Sequence, residues 1–123
     1  MRIVIADDSA LIRERLQNML LEYGLVDIVG SFNNGSDTLI ALQTLKPDLA
    51  IVDIEMPGQS GLEILKEIRK KDSALKFIIL TFHATDYYRK LAINTGADYF
   101  FSKVDDFDKV ELVINNLLNN NLQ

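Results

Sequence analysis

The sequence predicts an α/β domain of the form (βα)5, a doubly wound parallel five-stranded sheet with helices on both faces. Three observations carry that expectation. Five short apolar runs alternate with five helix-patterned segments along the 123 residues. The connections between them are short, as right-handed crossovers between parallel strands favour. The third run, Leu49 to Val52, is apolar without a break, as a strand covered on both faces tends to be.

Arg2 to Ala6 reads as the first strand. Residues 9 to 23 follow with Ile12, Leu16, Met19, Leu20 and Tyr23 on one face at helical spacing, Ser9 as N-cap and Gly24 as stop. Val26 to Phe32 is the second strand. Ser36 to Leu45 is a helix with Leu39, Ile40 and Leu42 inward, ended by Pro47. After Leu49 to Val52, Pro57, Gly58, Ser60 and Gly61 make a loop. Leu62 to Lys70 is the third helix, with basic residues in its last turn, where the helix dipole favours them. Phe77 to Leu80, Asp86 to Asn94, Tyr99 to Phe101 and Asp105 to Asn119 complete the pattern. The expected domain covers residues 1–119, with 120–123 a polar tail at the end of an asparagine-rich stretch. The strand order 2-1-3-4-5 places strands one and three side by side at the topological switch point, where such sheets bind ligands.

Composition narrows the function. A net charge of −5 disfavours non-specific nucleic-acid binding, and no helix-turn-helix pattern or basic patch is present, so direct DNA binding is not expected. With no cysteine there is no disulfide, thiolate metal site or thiol nucleophile, which is compatible with a reducing cytosol. No apolar stretch approaches the ~18 residues of a membrane span. A strand begins where a signal peptide would lie, so a cytoplasmic location is the expectation. His83 is the one histidine, and alone it makes a zinc site unexpected.

Asp7 and Asp8 end the first strand, Asp53 ends the third, and Lys103 follows the fifth. In the expected order their charges converge on one pocket. Two carboxylates ~4 Å apart repel by roughly 4 kcal/mol at an effective dielectric of 20, so three on one edge are hard to explain by stability alone. A hard cation such as Mg2+ or Mn2+ relieves the repulsion. Asp8 and Asp53 are the expected direct ligands, Asp7 acts through water, and the backbone carbonyl of Glu55 is a third protein ligand. Asp53 opens an accessible Pro/Gly loop and is the best nucleophile, since carboxylates form covalent phosphoryl adducts. Lys103 would neutralise phosphoryl oxygens, and the Thr81 hydroxyl would donate to one of them. Singly, these residues read as turn formers, caps or a solvated lysine. Together, at matching strand ends, they point to phosphoryl chemistry.

The same residues resemble the receiver domain of two-component response regulators, the flavodoxin-like module shared with chemotaxis regulators. The likeness covers essentially the whole chain: Asp7-Asp8, the stretch from Pro47 through Asp53 and Pro57 to Gly61, Ile79-Leu80-Thr81, and Gly96 through Lys103. It implies that Asp53 takes a phosphoryl group from a histidine kinase or histidine phosphotransfer protein. It also implies that Thr81 and the aromatic Phe100 switch together and alter the face made by helix four, strand five and helix five. That face would bind a downstream protein or a second copy, as a population shift between two pre-existing states. Phe82 follows Thr81 where the family usually has a small residue, so narrower access to Asp53 and slower phosphoryl exchange are expected. Val104 follows Lys103 where proline is common, and a trans bond is expected because a cis one would cost about 3–4 kcal/mol. Glu55 and His83 fall where the family borders the attacking water, which implies that they tune dephosphorylation.

The resemblance also places Leu11, Ile12, Arg15 and the Val104-Asp105-Asp106 loop at the rim where a phosphodonor docks. On the last helix, Leu112 lies about 140° from Phe107 at 100° per residue, away from the apolar face, and is a candidate interface residue. The leading expectation is a switch that catalyses only its own phosphorylation and dephosphorylation and turns over no external substrate. Two alternatives stand beside it: a phosphorylation-independent adaptor on the same scaffold, and a small aspartyl-phosphate phosphohydrolase. Against the last, such enzymes carry their nucleophile after the first strand.

Overall fold

The computed structural model describes residues 1–121. Its elements are β1 (Arg2–Ala6), α1 (Ala10–Leu20), β2 (Asp27–Phe32), α2 (Gly35–Leu45), β3 (Leu49–Val52), α3 (Gly61–Arg69), β4 (Lys76–Thr81), α4 (Asp86–Thr95), β5 (Tyr99–Ser102) and α5 (Phe107–Asn121). The strands pair in parallel in the order β2-β1-β3-β4-β5, the flavodoxin-like arrangement. β1 and β3 are neighbours in the middle of the sheet, with Ala6 opposite Val52.

Side-chain alternation explains why the central strands are apolar throughout. Val4, Ala6, Ala50, Val52, Phe77 and Ile79 face a core closed by Leu42 of α2, Ile64, Leu65 and Ile68 of α3, and Ala92 of α4. Ile3, Ile5, Leu49, Ile51, Ile78 and Leu80 face the opposite core, closed by Leu16 and Leu20 of α1 and by Phe107, Val110, Val113, Ile114 and Leu118 of α5. Each of the larger of these side chains contributes roughly 1.5–3 kcal/mol by leaving water, and each alanine less. Caps are worth about 1 kcal/mol each and set boundaries instead. Ser9, Asn34, Ser60 and Thr85 each accept a backbone N–H of the following first turn, and Ser60 and Glu63 form a full capping box.

The structure departs from the sequence reading at several places. α1 stops at Leu20, four residues before Gly24, and Tyr23 lies in the turn beyond. Its ring still packs against the α1/α5 core, with its hydroxyl donating to Glu111 at 2.9 Å. Ile40 is not inward; it is 58% exposed. It lies about 200° from Leu42 at 100° per residue, so both cannot face the sheet, and small Thr38 and Ala41 take the buried stripe. α5 begins at Phe107 and continues through Asn121, so the expected polar tail starts inside the helix; residues 122 and 123 lie outside the described residues. Among the described residues every peptide bond is trans, Lys103–Val104 included.

The loop after β3 is drawn tightly against the strand ends. Gly61 N donates to Ile54 O at 2.9 Å, and a Cβ on Gly61 would meet the Asp53 carbonyl oxygen at 2.2 Å. Backbone cannot yield as a flexible side chain would. Gly61→Ala is therefore expected to destabilise the fold by roughly 2–3 kcal/mol in denaturant unfolding. Gly24→Ala, which meets nothing within 4 Å, should leave the midpoint unchanged or slightly raised. Equal midpoints for the two variants would contradict the packing at Gly61.

Candidate functional site

The sheet's hydrogen-bond ladder runs past its formal ends and fixes the acidic residues. Asp7 N donates to Phe32 O and Asp53 N to Ala6 O, each at 3.0 Å. Both carboxylates are buried, Asp8 beside them is exposed, and one oxygen from each of the three lies within 4.8 Å of the others. Asp7 Oδ1 also accepts from Ser9 N at 2.9 Å, which ties the cluster to the start of α1.

Lys103 reaches the same place from the other side. Its backbone N–H continues the β4–β5 pairing by donating to Thr81 O at 2.9 Å. Its Nζ lies 2.5 Å from Asp7 Oδ2 and 2.8 Å from Asp53 Oδ2. Burial alone would depress its pKa, but hydrogen bonds and charge from Asp53 and Asp7 outweigh that and raise it. For Asp7 the balance is reversed. Burial, helped by the neighbouring Asp53 charge, raises its pKa against the pull of Lys103 and Ser9. Two buried acids share one ammonium.

Asp53 Oδ1 is the one buried side-chain polar atom without a hydrogen-bond partner among the described residues. An orphaned oxygen on Asp53, whose carboxylate clusters with those of Asp7 and Asp8, fits a divalent cation such as Mg2+ or Mn2+. Solvent reaches Asp8 through a cleft of about 540 Å³ that Glu55, Met56, Leu62 and Tyr88 also line.

The remaining sequence-predicted residues surround this cluster. Thr81 is buried, and its Oγ1 accepts from His83 N–H at 3.1 Å, which leaves its own proton to be donated elsewhere. Phe82 does not fill the pocket. It is 60% exposed, and its ring centre lies 4.8 Å from Lys103 Nζ, in cation–π contact. His83 Nε2 approaches Glu55 Oε1 at 3.0 Å. Phe100 points into the core beneath α4. Leu11 and Val104 are exposed at the rim, and Ile12 is half-buried. Arg15 is exposed but stacked on Phe107, 3.8 Å from its ring centre, and so already has an intramolecular partner. Leu112 is exposed on the outer side of α5.

Sequence reasoning missed Arg89 and the place of Tyr88. The Arg89 guanidinium lies 4.9 Å over the Phe100 ring and donates to Phe100 O at 3.1 Å, bracing α4 against β5. Tyr88 borders the cleft. Neither carries a local signal, because both meet their partners only through the packing of α4.

Comparison with known proteins agrees with this arrangement. The response regulator receiver domain family matches residues 3–115. The chain belongs to the response regulator receiver family. The transcriptional regulatory protein YvfU of Bacillus subtilis is 36% identical over 107 residues, 87% of this chain and 54% of its own length. A LuxR-family DNA-binding response regulator from Staphylococcus aureus superposes with a TM-score of 0.86 at 31% identity, covering 94% of this chain and 96% of that one. The response regulator domain of Thermotoga maritima CheB gives 0.83 at 27%, covering 98% and 94%. The receiver spans about half the length of the curated relatives it matches. Like them it is a signalling domain, and none of its helices is long and apolar enough to cross a membrane among the described residues.

The raised pKa of Lys103 gives this receiver an alkaline signature. The folded value lies above the unfolded one, so the ammonium's stabilising contribution is complete below about pH 10.4 and is lost as pH rises through the folded pKa. Wild type should lose more unfolding free energy than Lys103→Met between about pH 9 and 12. Parallel pH profiles would contradict the bridge.

Proposed function

We propose that this receiver is a phosphorylation-controlled switch in which Asp53 accepts a phosphoryl group from the phosphohistidine of a histidine kinase or histidine phosphotransfer protein in the cytoplasm. The observation that carries this reading is the buried, unpartnered Oδ1 of Asp53 beside a lysine ammonium and two further carboxylates. Asp8, Asp53 and the Glu55 carbonyl would hold Mg2+ or Mn2+, and Asp7 would act through water. The bound cation offsets the negative charge of the carboxylates and phosphoryl oxygens.

An Asp53 carboxylate oxygen attacks phosphorus. The new O–P bond forms as the donor's N–P bond breaks, and the electron pair returns to the imidazole nitrogen. Lys103 moves from Asp7 and Asp53 to a phosphoryl oxygen, and Thr81 donates its free hydroxyl proton to another. Little else is required, because phosphoryl transfer depends on positioning and charge stabilisation. The donor docks over Leu11, Ile12, Arg15 and Val104 at the rim.

Movement of Thr81 releases space that Phe100 occupies in a second rotamer, and the α4–β5–α5 face changes. Leu112 belongs to that face, which binds a downstream protein or a second copy of the chain. The receiver turns over no external substrate and binds no nucleic acid by itself. Bonds made in only one of two pre-existing states shift the population between them.

Incubation with Mg2+ and acetyl phosphate or phosphoramidate, followed by intact mass, tests the reading. Wild type is expected to gain one phosphoryl group and Asp53→Asn none. No gain in wild type, with a histidine kinase included, would overturn it.

A further inference from the structure

We infer that the cleft between the carboxyl ends of α2 and α3 is a docking site for an acidic peptide segment of a partner protein, which seats one bulky apolar side chain between Lys46 and Lys71. α3 starts against Asp53 at Gly61 and ends at Arg69, so the cleft lies at the far edge of the sheet. The inference stands apart from the phosphorylation proposed above.

The cleft holds about 630 Å³. Its floor is apolar, made by Leu42 of α2 and Ile68 of α3. Lys46, which caps α2, and Lys71, just past α3, stand on opposite walls. The stems of such side chains extend an apolar wall while their ammonium groups stay in water. Lys46 has φ 46° and ψ 63°, and it is the one non-glycine residue with a positive φ among the described residues. Glycine is the usual residue at a left-handed helix end, so this lysine is held against local preference. An outlier of that kind points to a role for the side chain.

The charges decide what fits. The carbonyls that end α2 already accept from Arg2 Nη1, Leu45 O at 2.6 Å and Lys46 O at 3.2 Å. Glu67 is paired with Lys70 at 2.8 Å, and Lys66 and Lys71 join Lys70 in lowering its pKa. Asp72 Oδ1 accepts the N–H groups of Ala74 and Leu75 at 2.8 and 3.1 Å. Both carboxylates of the cleft thus have partners, whereas Lys46 and Lys71 have no ion pair among the described residues. This excess of positive charge stands on a chain whose net charge is −5. A nucleic-acid strand would also meet the acidic remainder of the chain, but a short peptide meets only this patch. Carboxylates on either side of an apolar anchor answer two lysines on opposite walls, with the anchor resting on Leu42 and Ile68. A buried anchor inside a polar rim is a common form of binding hot spot.

The test titrates short acetylated and amidated peptides, with leucine or phenylalanine at the centre and glutamate or aspartate on both sides, into isotope-labelled protein and follows backbone amide shifts. Lysine-flanked peptides, alanine-centred acidic peptides and a duplex DNA oligonucleotide run alongside. At millimolar concentration the acidic, apolar-centred peptides are expected to shift the amides of Leu42, Gln43, Ile68 and Lys71, and to bind less tightly as salt rises. Alanine at the centre should weaken them. Lys46→Gln and Lys71→Gln should each weaken binding about two- to fivefold, as for exposed charge pairs. Lys46→Gly removes the same charge while suiting the left-handed backbone, so in thermal melts it should unfold no lower than wild type and still lose affinity to the same degree. No shift at the cleft from the acidic peptides would overturn the inference. So would affinity indifferent to Lys46→Gly, or equal binding of the lysine-flanked peptides. Shifts produced there by DNA and not by the peptides would assign the lysines to nucleic acid and overturn it as well.

Discussion

The ammonium of Lys103, shared between Asp7 and Asp53, is the contact on which the carboxyl edge of the sheet depends. At an effective dielectric of 20, two carboxylates ~4 Å apart repel by roughly 4 kcal/mol, a large share of the stability of an ordinary domain. One ammonium at hydrogen-bond distance from both offsets that repulsion. It leaves Asp8 in solvent and one oxygen of Asp53 without a partner. The edge is balanced but not saturated. That residual deficit suits a cation and a phosphoryl group arriving together.

The scaffold supplies the precision. Asp7, Asp53, Thr81 and Lys103 each extend the hydrogen-bond ladder of a buried strand, so their side chains inherit the register of the sheet. The loops carry the adjustable parts. Phe82, His83 and Glu55 are exposed, interact weakly with one another or with Lys103, and border the same opening. The buried acidic cluster thus rests on the sheet, while the residues around its opening lie on loops at the surface, where such connections usually run.

Much of this was legible in one dimension. Continuous apolar runs at Leu49–Val52 and Ile3–Ala6 reveal strands buried on both faces, and the acidic residues at their ends do converge on one edge of the sheet. Less legible were features that depend on rotation or on long-range packing. Ile40 looked inward because apolar residues crowd 39–42, yet a helix can bury only part of such a run. Tyr23 matched helical spacing although the helix had already ended, and its burial comes from α5. Arg89 over Phe100 and Arg15 over Phe107 pair residues from separate elements, which no local pattern announces. The Glu55–His83 contact was half visible: the positions stood out, but not that they touch.

Isothermal titration of Mg2+ into wild type and Lys103→Met tests the shared-ammonium account most directly. A unit positive charge ~5 Å away costs an incoming cation about 3 kcal/mol per unit of its own charge at an effective dielectric of 20. Removing the ammonium should therefore tighten Mg2+ binding by at least about tenfold, even after part of that energy is lost to rearrangement. Affinity unchanged or weakened in Lys103→Met, with the variant folded, would show that the lysine does not set the charge balance of the acidic edge.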